Sequence, residues 1–148
     1  MNQESAAKLL ADATRAGVFH LPQRGRKALA EAAEELGFDR IKVSLEGVRD
    51  KAAFLAAVSR ALTFPAWFGQ NWDALDDCLS DLSWRPASGY LVTLSHADDF
   101  RVAQPADFHI ALRIFSAAAD AWRDDGVAFW TLVELHGDSL PYLPDLPA

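Results

Sequence analysis

At 148 residues and 51% hydrophobic content, the chain has the length of one domain and enough apolar material for a core without covalent staples. A formal charge of -7 argues against binding nucleic acid through its phosphates, which needs a Lys/Arg footprint. The single cysteine excludes an internal disulfide framework and fits a reducing compartment. No apolar run reaches membrane-spanning length and Met1-Asn2-Gln3-Glu4 does not open a signal peptide, so a cytoplasmic protein without membrane contact is expected.

Residues 5 to 16 place Leu9, Leu10 and Ala13 on one helical stripe, stopped by Gly17. Val18-Phe19-His20-Leu21 reads as a short edge strand ended by Pro22, with His20 structural or exposed. The basic patch Arg24, Arg26 and Lys27 opens a second helix that runs through Leu29, Ala32 and Ala33 to Leu36 and Gly37. Its sign would allow a salt-bridged contact with an acidic helix further on.

Ile41-Lys42-Val43-Ser44-Leu45 alternates as a strand does. Asp50 is placed to cap a helix carrying Phe54, Leu55, Val58, Ala61 and Leu62, which Thr63-Phe64-Pro65 breaks. A second strand is expected at Tyr90 to Leu94, followed by a polar connection from His96 to Phe100. From Pro105 a long helix aligns Phe108, Leu112, Phe115, Ala119 and Trp122, and Val127 to Val133 is a third strand after Gly126. The tail from Gly137 to Ala148 holds three prolines and should be extended or mobile. Strands separated by helical crossovers imply parallel pairing.

The run from Phe64 to Leu82 organises the rest. It carries four aspartates, and no Lys or Arg occurs between Arg60 and Arg85. Asn71 is a good N-cap and Gly69 permits a sharp entry. A helix starting there puts Trp72, Leu75, Cys78, Leu79 and Leu82 on one side, and Asp73, Asp76, Asp77, Ser80 and Asp81 on the other. Asp73 favours the positive end of the helix dipole. Like charges one turn apart, Asp73/Asp77 and Asp77/Asp81, cost an isolated helix ~0.2–0.5 kcal/mol per pair. A face of one sign suits a cationic partner; as an ordinary solvated face it would more often mix Lys with Glu. Cys78 falls on the apolar side and reads as a buried small hydrophobe.

Pro65, Trp67, Phe68, Gly69, Gln70, Asn71, Trp72, Asp73, Ala74, Leu75, Asp76, Asp77, Cys78 and Leu79 resemble the signature region of the barstar family, intracellular inhibitors of barnase-like ribonucleases. The resemblance covers residues 40 to 135. It implies a small three-layer α/β fold: a three-stranded, mostly parallel sheet flanked by helices, with residues 1–39 as a helical N-terminal extension, 40–136 as the barstar-like domain and 137–148 as a Pro-rich tail. It also implies an inhibitor or immunity protein rather than an enzyme, a monomer by default, whose acidic helix blocks the active site of a basic ribonuclease or related cationic toxin. Asp73 and Asp77 would be the central acidic contacts, bordered by Trp67, Gly69 and Asn71, with Asp76 and Ser80 on the same face.

Departures from the family pattern are specific. Trp67 stands where Tyr is usual, Asp76 where an interface Trp is usual, and Leu82 where another Trp is usual. Ser116-Ala117-Ala118-Ala119 occupies the region of a supporting Glu, leaving Asp120, Asp124 or Asp125 as acidic groups there. These changes leave room for a general interaction module that has kept the fold. An enzyme would need Asp73 and Asp77 as acid and base or as ligands of one divalent metal, although such sites normally draw ligands from several elements. No Gly-rich phosphate loop, HExxH or paired-cysteine spacing is present, and no cofactor or metal is assigned.

Overall fold

The computed structural model describes residues 1–136 and 140–147. Four strands, β1 (Val18–His20), β2 (Asp39–Ser44), β3 (Gly89–Ser95) and β4 (Ala128–Val133), form a parallel sheet in the order β1-β4-β3-β2. Six α-helices surround it: α1 (Gln3–Ala11), α2 (Arg26–Glu35), α3 (Lys51–Leu62), α4 (Trp72–Asp81), α5 (Asp98–Ala103) and α6 (Pro105–Asp124).

β3 and β4 are central. Their side chains alternate between two cores, as a pleated strand requires. Tyr90, Val92, Leu94, Phe129 and Val133 pack with Ile41 and Val43 against buried residues of α3, α4, α5 and α6. Leu91, Ala128, Trp130 and Leu132 pack on the other face against Ala6, Leu9 and Leu10 of α1 and Leu29, Ala32 and Ala33 of α2. A strand covered on both faces reads as a continuous apolar run, and every residue of β4 is buried. The indole Nε1–H of Trp130 donates to the Leu10 carbonyl at 2.9 Å, which fixes α1 to the sheet.

The sheet has four strands where three were expected. The added strand, β1, lies within the first 39 residues and pairs with β4 through Val18↔Thr131, Phe19↔Leu132 and His20↔Val133. Only three residues long and half-buried throughout, it has too few positions for its alternation to show its place in the sheet. The first helix is shorter than residues 5 to 16, because the Asp12 side chain accepts from the Thr14 amide and redirects the chain into a 3-10 turn at Ala13–Arg15.

One further expectation is corrected and one is narrowed. The polar connection after His96 contains α5, whose Phe100 is fully buried and stacks on Phe54 at 4.8 Å; one aromatic anchor outweighs its polar neighbours. The tail, where described, is docked: the His20 amide donates to the Pro144 carbonyl at 2.9 Å, and Leu143 is buried. Residues 137–139 and 148 of that tail lie outside the described residues.

The basic patch does not reach the acidic helix. Arg26 donates to Glu134 at 2.7 Å, Lys27 lies 3.8 Å from Glu31, and Arg24 precedes α2. A further partly buried ion pair joins Arg85 to Asp39 through two hydrogen bonds of 2.8 and 3.0 Å, while Arg85 also donates to the Ala61 carbonyl at 3.0 Å. That guanidinium ties the segment after α4 to β2 and to the end of α3.

Two substitutions test this packing. Gly89→Ala would push a methyl group into the Phe38 ring, with an expected loss of about 1–3 kcal/mol in urea unfolding. Trp130→Phe keeps most of the ring volume but strips the Leu10 carbonyl of its donor; the same measurement should show a loss of about 1–3 kcal/mol.

Candidate functional site

The site is built on α4 and the turn that enters it. The Asn71 side chain accepts from the Ala74 amide at 2.8 Å, and its own amide nitrogen donates to the Gly69 carbonyl at 3.3 Å. One residue therefore closes both the turn and the first helical turn. The left-handed residue at this entry is Gln70, with φ 52°, not Gly69. Glycine serves a different purpose: a Cβ at position 69 would come within 3.2 Å of the Asn71 amide nitrogen.

The exit from α4 is equally constrained. Leu82 adopts φ 45°, a conformation unfavourable for a branched side chain, and its amide donates to the Cys78 carbonyl. Its side chain is buried, so core packing holds the strained backbone in place. Leu75, Cys78 and Leu79 are buried with it, and Trp72 is half-buried. The Trp122 indole of α6 donates to the Leu79 carbonyl at 2.8 Å, which anchors the helix by its backbone as well as its side chains. Burying each leucine contributes about 1.5–3 kcal/mol, more than the carboxylate repulsions oppose.

Rooted in this way, α4 exposes Asp73, Asp76, Asp77, Ser80 and Asp81 to solvent. Among the described residues, none of the four aspartates makes an ion pair within 4 Å. Lys51 of α3 lies over the Trp72 ring at 5.0 Å. Asp76 borders a shallow cleft of about 280 Å³ shared with Ile110, Arg113, Ile114 and Ala117 of α6.

Trp67 stands apart from this row of carboxylates. It is 61% exposed, and its ring meets Trp84 edge-on at 6.3 Å. Trp84 in turn packs against Phe64 at 5.9 Å and donates its indole N–H to the Leu62 carbonyl at 3.0 Å. The Trp67 indole is thus braced by one aromatic neighbour while most of its surface stays exposed. Asp120, one of the acidic groups in the region of the family's supporting Glu, is engaged by Arg123 at 2.7 Å.

The Cys78 thiol is pushed up to about 11 by burial and by the neighbouring Asp77 and Asp81 charges. It is a buried neutral group at neutral pH.

Two features outside α4 had no signal in sequence spacing. A cleft of about 640 Å³ lies between α2 and the β2 side of the sheet and is bordered by Arg26, Arg40, Lys42 and Glu134. The second is a cluster of His96, Glu134 and His136, in which a ligand atom from each lies within 4.8 Å of the others. His96 was expected only as part of a loop, and the other two lie 38 and 40 positions further along the chain. Only the parallel pairing of β3 with β4 brings the two segments side by side.

No curated protein matches the chain. Among solved structures, the Aeropyrum pernix ORC2 protein, in its ADPNP and ADP complexes, is similar at a TM-score of 0.52 with 18% identity. The match covers 89% of this chain but 40% of that one, and at this identity it speaks for the α/β fold alone. The family model described as Barstar (barnase inhibitor) matches residues 38–134, a span that holds β2, β3, β4 and the whole acidic helix. The chain therefore belongs to the barstar family.

Proposed function

We propose that this chain is an inhibitor or immunity protein that occupies the active site of a basic ribonuclease, or of a related cationic toxin, with its acidic helix. A ribonuclease must hold phosphate with Arg, Lys and His side chains, and carboxylates fixed on a helix can take the places of that phosphate. The observation that carries the proposal is the row Asp73, Asp76 and Asp77, exposed on a rigid helix and left without an ion-pair partner among the described residues. Ser80 extends the row by one turn, Asn71 and Gly69 shape its leading edge, and Trp67 supplies an exposed aromatic in the segment that enters the helix. The family's description as a barnase inhibitor supports the reading. No helix of the described residues is long and apolar enough to cross a membrane; a cytoplasmic location, and a protein rather than a nucleic acid as partner, belong to the same proposal.

A second reading is favoured by one local difference. Asp76 adds charge where the family pattern has an interface Trp, and the exposed Ser116 and Ala117 offer no acidic group on α6. A domain with those changes would serve as an interaction module with a partner other than a barnase-like enzyme.

A panel of basic ribonucleases separates the two. An inhibited enzyme should be bound fast at low ionic strength and more slowly as salt screens the charges. Asp77→Ala should weaken that complex by about 2–5 kcal/mol, the range for truncating one partner of a buried charge pair, for which the barnase–barstar complex is itself a source. Glu46→Ala, at an exposed residue in the turn between β2 and α3, should change it by less than about 0.5 kcal/mol. If every ribonuclease keeps full activity, the interaction module replaces the inhibitor.

A nucleophilic role for Cys78 is opposed by its raised thiol. With the thiol at about 11 instead of its ordinary 9.0, the thiolate fraction at pH 8 falls roughly a hundredfold. A disulfide reagent at pH 8 should therefore label the native chain at least ~100-fold more slowly than the urea-unfolded chain. The same shift sets a sign for stability. The unfolded thiol loses its proton first, so stability falls as pH rises from about 9 towards about 11.

A further inference from the structure

Glu134 follows β4 directly, and His96 follows β3 directly. Because the two strands are parallel neighbours, both residues leave the sheet at its carboxyl end, side by side. The His96 amide donates to Glu134 Oε1 at 3.1 Å, and His136 Nε2 lies 3.7 Å from the same oxygen. The two imidazole rings are 6.2 Å apart, centre to centre. Glu134 Oε2 is occupied by Arg26 at 2.7 Å, so the carboxylate is oriented with one oxygen towards the histidines.

The backbone is held for this arrangement. His96 adopts φ 54°, one of four non-glycine residues with positive φ among those described; such strain persists only where surrounding contacts over-determine it. The His136 amide donates to both carboxylate oxygens of Asp98 at 3.1 and 3.0 Å. Each histidine is thus fixed by its main chain while its side chain stays exposed.

We propose that His96, Glu134 and His136 form a binding site for a divalent transition-metal ion of the zinc class. Two imidazoles and a carboxylate are a recurrent zinc donor set, and here they come from the two segments that follow β3 and β4. Ligands about 2.0–2.1 Å from a tetrahedral ion sit ~3.3 Å from one another. The Glu134–His136 separation is already close to that spacing, and rotation of two exposed imidazoles closes the rest. Nitrogen donors disfavour Ca²⁺ and Mg²⁺, which take oxygen ligands. Arg26 and Asp98 act as positioning residues behind the carboxylate and the His136 backbone. A bound ion would clamp the exit of β4 to the exit of β3. The site uses no residue of α4, so its fate is independent of the inhibitor reading.

The test uses the full chain after chelator treatment, titrated with Zn²⁺ by calorimetry and with Co²⁺ by visible absorption. One ion per chain is expected, with a rise in Tm on adding Zn²⁺. His136→Gln and His96→Asn should each weaken binding about tenfold or more and abolish that rise. Asparagine is chosen at 96 because it tolerates positive φ, and His136→Gln changes only an exposed side chain, so a folded variant is assured of a reading. His109→Gln, at a ring stacked on Tyr142 at 4.2 Å, should bind as the unaltered chain does. Absence of Zn²⁺ binding, or binding that neither His136→Gln nor His96→Asn weakens, overturns the site.

Discussion

The parallel pairing of β3 with β4, six residue pairs long, is the constraint from which the rest of the molecule follows. Both strands are buried on both faces, so each face needs its own helical cover. One face is met by α3 to α6 and the other by α1 and α2. The first 39 residues therefore supply β1 to the sheet and Leu9, Leu10 and Leu29 to the second core, with the Trp130–Leu10 hydrogen bond as a buried link between them and β4.

The acidic helix shows how a locally unfavourable surface is sustained. Its exposed carboxylates repel one another by tenths of a kcal/mol per pair, while its apolar side buries Leu75, Cys78, Leu79 and Leu82. Asn71 holds the entry, Leu82 turns the exit, and the indole of Trp122 grips the backbone between them. A rigid carboxylate loses little further conformational freedom on meeting a cation, which is the physical case for a preorganised binding face. The same burial that roots the helix silences its cysteine.

The histidine cluster shares that logic at another corner. Thr63, Gln70, Leu82 and His96 are the non-glycine residues with positive φ among those described. The first three frame the segment from the end of α3 to the end of α4, and the fourth begins the cluster at the end of β3. Among the described residues, the non-glycine positive-φ positions thus fall around the acidic helix and at the start of the histidine cluster.

Much of this was legible in the chain itself. The alternating run at β2, the stripe of α6 and the two-sided pattern of α4 depend on periodic burial within one segment, and Asn71 and Asp50 cap their helices through bonds three residues long. Those signals are local, so the chain's own pattern was enough for the helices other than α5, the central strands, the acidic face and the family. Membership of β1 in the sheet, the anchoring of α5 by Phe100, the pairing of Arg26 with Glu134 and the meeting of His96 with His136 were decided only by tertiary structure. Each joins segments whose own patterns are short or polar, and no periodicity within a segment encodes which distant face it will meet; that choice is made when two buried surfaces are closed around one sheet.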